Sequence, residues 1–202
     1  MPGQQQSPVD LVSADAIGVS PAGGRVTVDW RSGDQEFTVR RKSSGYRFKP
    51  HEGGQTVLLE SREYGLAEVH FHLPSEHWID GASFDAELHA VHVRAEDGVR
   101  RCAVSVLLNL AGGAHEHAEP TPPTSFDLGA LLPPDRAFYR YEGSLTTPDY
   151  GERVSWIVMR DPVAVTDPQL RRFILDGADE ARDPYPLDRR FVLADHCAPR
   201  PV

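Results

Sequence analysis

Apolar and polar residues alternate with a period of two in several short segments of this 202-residue chain. This spacing sends successive side chains to opposite faces of a β-strand, and β-branched and aromatic residues accompany it here. Asp80-Gly81 and Asp97-Gly98 are typical of turns that join antiparallel neighbours. The chain is therefore predicted to be mainly β. The predicted strands are Arg25–Trp30, Glu36–Val39, Thr56–Glu60, Glu68–His72, Glu87–Arg94, Ala103–Leu110, Arg153–Asp161 and Ala164–Thr166.

Helical periodicity is confined to two short segments, Asp127–Leu132 and Asp167–Asp176. Pro168 suits the first turn of the second helix, and Gly177 suits its end. The proline-rich stretch 112–123 is interpreted as an exposed connection inside one domain, because no composition shift or internal repeat marks a boundary. We expect residues 1–202 to form a single domain in which a few short helices lie at the periphery of a sheet.

Acidic residues outnumber basic ones by 30 to 21, so the formal net charge is −9. Such a surface repels nucleic-acid phosphates and anionic lipid headgroups, and no apolar stretch reaches the roughly 20 residues of a membrane helix. Nucleic-acid and membrane partners are therefore not expected. Without a visible secretory signal, the chain as written is expected to be cytoplasmic, or periplasmic or secreted if its natural N-terminus lies further upstream. Cys102 and Cys197 lack metal spacing, and no disulfide is expected.

Histidines are concentrated in one part of the chain, since five of the nine lie between positions 70 and 92. Strand alternation puts His70 and His72 on one face, and an antiparallel strand after the Asp80-Gly81 turn can bring His89 beside them. Three imidazole ligands without a fourth protein ligand are typical of catalytic zinc, which leaves one tetrahedral position for water. The pattern therefore predicts a Zn²⁺ site at His70, His72 and His89.

Two glutamates and a further histidine lie close to these candidate ligands. Glu87 and Glu68 each stand two residues from one of them, and a ligating histidine normally donates its other N–H to a carboxylate or carbonyl oxygen. We therefore expect Glu87 to orient His89 and Glu68 to orient His70. His92 points to the opposite face of its strand by parity and is not expected to bind the metal.

Six blocks of the sequence resemble motifs of the α-class carbonic anhydrases, in the same order along the chain. The blocks are Gln6-Ser7-Pro8-Val9-Asp10, His70-Phe71-His72, Ser75-Glu76-His77, Glu87-Leu88-His89 with Val91-His92, Gly143-Ser144-Leu145-Thr146-Thr147-Pro148 with Trp156, and Arg182 with Pro186-Leu187 and Arg190. The resemblance implies a central twisted, mostly antiparallel sheet with zinc in a conical cleft. It also implies reversible hydration of CO2 to bicarbonate and a proton by zinc-bound hydroxide, which zinc makes available near neutral pH.

The resemblance also implies roles for individual residues. Thr146 corresponds to a hydroxyl that orients the nucleophile, and Glu76 corresponds to its carboxylate partner. An ionised carboxylate can only accept, so Thr146 would donate to Glu76 and accept the hydrogen of the nucleophile. The residues that correspond to the substrate pocket are Val91, Val104, Leu145, Thr147 and Trp156. Those that correspond to a hydrogen-bonded group behind Glu76 are Tyr141, Ser7 and His77.

Several positions depart from the family pattern. Only Met1–Gln5 precede the first block, so a more open cleft mouth is expected. The segment Arg41–Tyr46 has no histidine where faster members carry a proton shuttle, and neither His51 nor Tyr46 is expected to replace it. We therefore predict a slower enzyme that depends on small buffers. Glu68 stands where the family has Gln, and its charge should raise the pKa of the bound water.

Two alternatives to this interpretation stay open at the level of sequence. His70-x-His72 followed by Glu76 also resembles the metal motif of cupins, which have a jelly-roll fold, and the two interpretations differ in whether Glu76 or His89 completes the metal site. The second alternative is a catalytically weak or silent relative that acts as a binding protein. Loss of a ligand would indicate such a protein, and all three candidate ligands are present.

Overall fold

The computed structural model describes residues 3–19, 26–43, 45–111 and 117–195. Strands dominate these ranges, so the prediction of a mainly β chain is confirmed. The strands are β1 (Asp10–Leu11), β2 (Ile17–Val19), β3 (Val26–Asp29), β4 (Gln35–Lys42), β5 (Gly45–Pro50), β6 (Thr56–Leu59), β7 (Arg62–Leu73), β8 (Trp78–Ile79), β9 (Ala86–Arg94), β10 (Arg101–Asn109), β11 (Ser125–Phe126), β12 (Phe138–Gly143), β13 (Val154–Met159), β14 (Val163–Ala164), β15 (Asp179–Glu180) and β16 (Leu193–Asp195).

Fourteen of the strands in the described ranges form one large sheet, whose main path runs β11-β4-β5-β7-β9-β10-β13-β12-β16-β2. Most neighbours are antiparallel, as expected. Parallel pairs form where β10 meets β13 and β14, where β15 meets β7, and where β16 meets β2. Strands β7, β9 and β10 occupy the centre of this path, and the candidate functional site lies on them.

The pairing of β7 with β9 determines where the predicted metal ligands lie. The two strands are antiparallel, with His70 directly opposite His89 and His72 opposite Glu87. Because side chains alternate between the faces of a strand, this register places all three candidate ligands on one face. The connection between the strands, residues 74–85, contains β8 and is longer than the tight turn that Asp80-Gly81 indicated.

The two faces of the central sheet pack against different material. One face carries Phe48, Phe71 and Phe126, whose rings meet edge to face. Phe48 and Phe71 also contact Phe173 of the single α-helix in the described ranges, α1 (Pro168–Gly177). The opposite face carries a smaller apolar cluster around Trp156. The candidate site lies on this second face, against the Trp156 ring.

Helix α1 agrees with one of the two helical predictions. Asp167 caps it by accepting a hydrogen bond from the Leu170 N–H at 2.6 Å, and Pro168 occupies its first turn. The other predicted helix, Asp127–Leu132, is reduced to a single 3₁₀ turn at Gly129–Leu131, before two prolines. In the described ranges, no helix has the length and apolar character that crossing a membrane requires.

Some sequence predictions fall on residues outside the described ranges. These are Arg25 at the start of one predicted strand, residues 112–116 of the proline-rich connection, and Cys197. Cys102 is buried on β10 with a free thiol, and burial raises its pKa to about 12. A thiol in that state is unreactive near neutral pH.

Candidate metal centre

Three histidine side chains converge on the central strands. His70 and His72 extend from β7 and His89 extends from β9, and one ring nitrogen of each lies within 4.8 Å of the others. The ring centroids are separated by 5.1 Å (His70–His72), 5.3 Å (His70–His89) and 4.6 Å (His72–His89). At most 5% of each residue is exposed. The structure therefore brings together the three residues that the sequence predicted as ligands.

The chemistry of the three imidazoles fits a zinc ion. Burial lowers the pKa of all three, because the charged form would lose its hydration, so each ring is neutral and able to bind a metal. The Nε2 atom of His72 is buried without a hydrogen-bond partner, which is costly unless a ligand uses it. Three neutral nitrogens without a thiolate are a donor set of catalytic zinc.

The structure places Glu87 in contact with His89, the histidine with which the sequence analysis paired it. Its Oε1 accepts hydrogen bonds from His89 Nε2 at 2.8 Å, from His77 Nδ1 at 2.7 Å and from the Ser105 hydroxyl. Its Oε2 accepts from the backbone N–H groups of Glu76 and His77 at 2.8 and 2.7 Å. Burial by itself would raise the pKa of Glu87, but His77 and His89 hold it well below its usual value. Glu87 is therefore an ionised carboxylate that directs His89 Nδ1 toward the other two imidazoles.

The other two histidines are oriented less tightly. His72 Nδ1 lies 3.4 Å from the carbonyl oxygen of Glu180 on β15. The predicted partner of His70 is more distant, since Glu68 Oε1 lies 4.0 Å from His70 Nδ1, too far for a hydrogen bond. The predicted pairing of Glu68 with His70 is thus a nearby charge rather than a direct contact.

The predicted group of Tyr141, Ser7 and His77 is present, but it supports a different carboxylate from the one expected. His77 Nε2 lies 2.7 Å from the Tyr141 hydroxyl, which donates to Ser7 Oγ at 2.9 Å. The opposite ring nitrogen of His77 bonds to Glu87, so the chain of contacts ends at Glu87 and His89. Glu76 joins this group through its backbone N–H, which donates to Glu87.

The Glu76 side chain is held from another direction. Its Oε1 accepts a hydrogen bond from the backbone N–H of Arg182 at 3.0 Å, and Oε2 lies 3.5 Å from His72 Nε2. Burial and the nearby Glu87 charge raise the pKa of Glu76 to about 8, while hydrogen bonds from Thr146 and Arg182 oppose that rise. The structure therefore places the Thr146 hydroxyl against Glu76, the two residues that the resemblance paired.

A cavity of about 200 Å³ opens beside the imidazoles and meets the predicted substrate pocket. Its wall includes the predicted residues Val91, Leu145, Thr147 and Trp156. Val104 does not line it: on β10 it lies opposite Ala90 and belongs to the core cluster of the other face. Ala103, opposite Val91, takes that place. The residue assigned from the sequence, Val104, is one position too far along β10, and neighbouring residues of a strand point to opposite faces of the sheet.

A second, wider cavity of about 460 Å³ also reaches the candidate centre and shares Thr146, Thr147 and Pro148 with the first. Its wall includes His72, Glu76, Tyr150 and the segment 178–182. Among the described residues that line either cavity, the three candidate ligands are the only histidines. His51 hydrogen-bonds with the Thr38 hydroxyl at 2.9 Å and lines neither cavity.

Besides Ala103, the residues at the site that were not assigned a role from the sequence include Arg182, Glu180, Ser105 and Arg47. Arg182 and Glu180 act on the site through main-chain atoms, which side-chain types do not reveal. The Arg182 guanidinium is also fixed, because it stacks 4.5 Å from the Tyr150 ring centroid and 4.1 Å from that of Tyr185. Ser105 pairs with His89 across β9 and β10, a relation that depends on the register of the two strands and became visible only in the structure.

Comparisons with known proteins agree with this geometry. The family model described as eukaryotic-type carbonic anhydrase matches residues 1–105 and 103–193. The chain is 33% identical to alpha carbonic anhydrase 7 of Arabidopsis thaliana, over 94% of this chain and 74% of the relative. It is 31% identical to a carbonic anhydrase of Neisseria gonorrhoeae, over 95% of this chain and 77% of the relative.

Solved structures show the same fold. The α-carbonic anhydrase of Thermovibrio ammonificans in complex with sulfanilamide superimposes with a TM-score of 0.73 at 29% identity, over 95% of this chain and 87% of that one. Dioscorin complexed with ascorbate superimposes with a TM-score of 0.72 at 26% identity, over 95% and 86% of the two chains. A jelly-roll cupin is excluded, because one large sheet is present and His89 supplies the third nitrogen.

Proposed function

This chain belongs to the eukaryotic-type, or α-class, carbonic anhydrases, and we propose that it uses Zn²⁺ to hydrate CO2 reversibly to bicarbonate and a proton. The observation that carries the proposal is the convergence of three buried, neutral imidazoles, His70, His72 and His89, within 4.8 Å beside a cavity that has apolar residues on part of its wall. When bound there, zinc would lower the pKa of a coordinated water to near neutrality and supply a strong nucleophile. The residues of the chain supply orientation and a place for the substrate.

Thr146 and Glu76 are proposed to orient the attacking oxygen. In its ionised form Glu76 can only accept hydrogen bonds, so the Thr146 hydroxyl must donate to it. The Thr146 oxygen then offers its lone pairs to the hydrogen of the nucleophile, which directs the free lone pair of the nucleophile toward the substrate. The Arg182 N–H holds Glu76 Oε1 at 3.0 Å and keeps this arrangement in place. A zinc ion held by the three neutral imidazoles would bring positive charge close to Glu76 and would favour its ionised form.

The substrate is proposed to lie against the apolar wall of the 200 Å³ cavity. CO2 has no net charge and no hydrogen-bond donor, so a small apolar surface suits it. Val91, Ala103, Leu145 and Trp156 provide that surface next to His89. Lys42, Arg101 and Glu68 lie on the wall of the same cavity, and the two cations and one carboxylate leave a net positive charge there that favours the bicarbonate anion.

Release of the proton is proposed to depend on small buffers. Apart from the three candidate ligands, the described residues that line the two cavities include no histidine, the side chain best suited to carry a proton near neutral pH. Added imidazole should therefore raise kcat severalfold and leave kcat/KM for CO2 unchanged. A kcat that does not respond to imidazole would contradict this part of the proposal.

The deciding experiment combines metal analysis with a CO2 hydration assay. We expect the wild type to bind one equivalent of zinc and to hydrate CO2, and we expect sulfanilamide, which is present in the solved Thermovibrio ammonificans complex, to inhibit it. The variant His89→Ala should lose zinc and activity, while the exposed-site control His51→Ala should keep both. A wild type that binds zinc without hydrating CO2 would instead support a silent binding relative.

A further inference from the structure

The guanidinium of Arg47 contacts two carboxylates that come from different parts of the chain. Arg47 lies on β5, the neighbour of β7 in the sheet, and only 4% of it is exposed. Its Nη1 lies 2.7 Å from Asp179 Oδ2, and its Nε lies 3.4 Å from Glu68 Oε1. One buried cation therefore links β7 and β15 through their acidic side chains.

Each of these carboxylates belongs to a segment that meets a candidate metal ligand. Glu68 precedes His70 by two residues on β7, and its Oε1 is shared between the Arg47 contact and the 4.0 Å approach to His70 Nδ1. Asp179 begins β15, and the next residue, Glu180, presents its carbonyl oxygen to His72 Nδ1 at 3.4 Å. The position of Arg47 thus bears on two of the three imidazoles.

Strand β15 is short, so its position depends on contacts other than the ladder. It consists of two residues and pairs with β7 only through Asp179–His72 and Glu180–Leu73. Two residue pairs are a weak anchor for a strand at the edge of a sheet. An ion pair at 2.7 Å to the buried Arg47 adds a third, charge-assisted attachment.

The backbone of β5 makes room for this arrangement at Gly45. Its φ of 113° is one that residues with a side chain rarely adopt. A Cβ at this position would lie 1.5 Å from Asp179 Oδ1, so a larger residue would displace the carboxylate. Gly45 and Arg47 lie two residues apart and share a strand face, which brings Asp179 against both.

The pairing also changes the charge expected behind His70. The sequence predicted that Glu68 would place an extra negative charge there, yet Glu68 Oε2 lies 3.2 Å from Lys42 Nζ in addition to the Arg47 contact. The Lys42 side chain is 53% exposed, so solvent and salt screen its pair. The Arg47 side chain is 5% exposed and is screened much less.

We propose that Arg47 is a positioning residue of the metal centre, whose buried guanidinium holds Glu68 beside His70 and holds the Asp179–Glu180 strand beside His72. The inference rests on the proposed zinc site. The planar fork of Arg47 serves both carboxylates at once, which a lysine ammonium cannot do from the same position. Loss of the fork should loosen both imidazoles and weaken metal binding without removing a ligand.

The test is zinc affinity, measured by competition with a chelator, and the visible absorption of the Co²⁺-loaded protein. We expect Arg47→Met to lose roughly 10–100-fold in zinc affinity and to change the Co²⁺ spectrum, as removal of partners behind metal ligands commonly does. Arg47→Lys should lose roughly 3–10-fold, because one of the two attachments is kept. The matched control Lys42→Met removes the exposed partner of Glu68 and should change affinity less than about threefold.

The outcomes separate a positioning role from a structural one. A merely structural Arg47 would lower the stability of the metal-free protein but leave the zinc affinity and the Co²⁺ spectrum of the folded variants as in the wild type, and that result would overturn the proposal. If Arg47→Met does not fold, Arg47→Lys decides by the same two measurements. A wild type that binds no zinc would instead overturn the proposed function, so the two failures are distinguishable.

Discussion

Strand β9 carries two buried histidines on opposite faces, and the difference between them shows what makes a histidine available to a metal. His92 is fully satisfied by the protein: its Nδ1 donates to the Ala90 carbonyl at 2.9 Å and its Nε2 accepts from Trp30 Nε1 at 3.1 Å. His89 uses one nitrogen, Nε2, to bind Glu87, and its other nitrogen faces two further imidazoles. Burial is equal at the two positions, and only the unused nitrogen distinguishes them.

The same contrast extends to the two faces of the central sheet. The His92 face is covered by aromatic rings and by helix α1, so its contribution to the stability of the fold comes from apolar burial. The His89 face holds a hydrogen-bonded network of charged and polar side chains that ends at an open cavity. Substitutions on the first face should therefore affect stability, and those on the second should affect metal binding and catalysis.

The largest expected loss of stability lies on the apolar face. Phe48 is fully buried among Phe71, Phe126 and Phe173, so Phe48→Ala should lower the free energy of unfolding by about 3–5 kcal/mol. Denaturant titration of the metal-free protein measures this change. The zinc affinity of the fraction that remains folded should stay within about threefold of the wild type. A larger loss of affinity would show that the two faces are coupled.

On the polar face, Thr146→Ala should lower kcat/KM for CO2 by roughly 100–1000-fold, or about 3–4 kcal/mol, because the orienting hydroxyl is lost. Thr146 is 8% exposed at the edge of the cavities, and its removal should change the free energy of unfolding by less than about 1 kcal/mol. Thr27→Ala, on β3 away from the site, is the matched control. Equal kinetics for Thr146→Ala and the wild type would remove Thr146 from the mechanism.

Because of His92 on the apolar face, the stability of the protein should fall in acid. Burial lowers its pKa from 6.5 to about 4, so the folded protein binds this proton less readily than the unfolded chain does. The part of the free energy of unfolding that comes from this lowered pKa is fully present above pH 6.5. It is lost as the pH falls toward 4, by about 3 kcal/mol in total.

The variant His92→Gln has no titratable ring and tests this acid sensitivity. Its free energy of unfolding should fall less steeply than that of the wild type between pH 6.5 and 4. The measurement is a series of denaturant titrations across that range, in which each variant is compared with its own stability at pH 7. Parallel pH profiles for the two proteins would contradict the assignment.

The smallest of these effects is a loss of zinc affinity, expected when the carboxylate that holds His89 is neutralised. Glu87→Gln keeps the size of the side chain but removes the negative charge that holds His89 Nε2, and it should weaken zinc binding roughly 10–100-fold. Chelator competition measures the affinity. Glu68→Gln, which alters a carboxylate 4.0 Å from its histidine, is the comparison and should have a smaller effect. The reverse order would mean that proximity of charge matters more than the hydrogen bond.

The strands that could be predicted are those with a pattern of their own. The long central strands β9 and β10 were placed correctly, because alternation or a continuous apolar run distinguishes them, whereas the predicted Glu68–His72 covers only the C-terminal part of β7 (Arg62–Leu73). Strands β5 and β12 were missed; β5 begins with Gly45 and ends with Pro50, residue types that are depleted in strands. Strands of two or three residues, such as β1, β8 and β15, have no measurable period and form only because a partner offers hydrogen bonds.

At the site, side-chain chemistry was easier to predict than geometry. The three imidazoles and the pairing of Glu87 with His89 follow from residue type and strand parity. Val104 was misplaced because residues 102–108 are all buried, so the apolar pattern does not reveal which side chains face the cavity. The correct choice, Ala103, became visible only through its pairing with Val91 on β9.

The amino-acid sequence by itself determined the metal chemistry, because imidazoles two residues apart on a strand share a face whatever the rest of the chain does. It determined the fold class for the same reason, since a period of two can be buried only in a sheet. The tertiary structure decided which carboxylate supports which histidine, and it brought Arg47, Glu180 and Arg182 to the site from distant segments. Contacts between remote segments depend on register and packing, which no local pattern encodes.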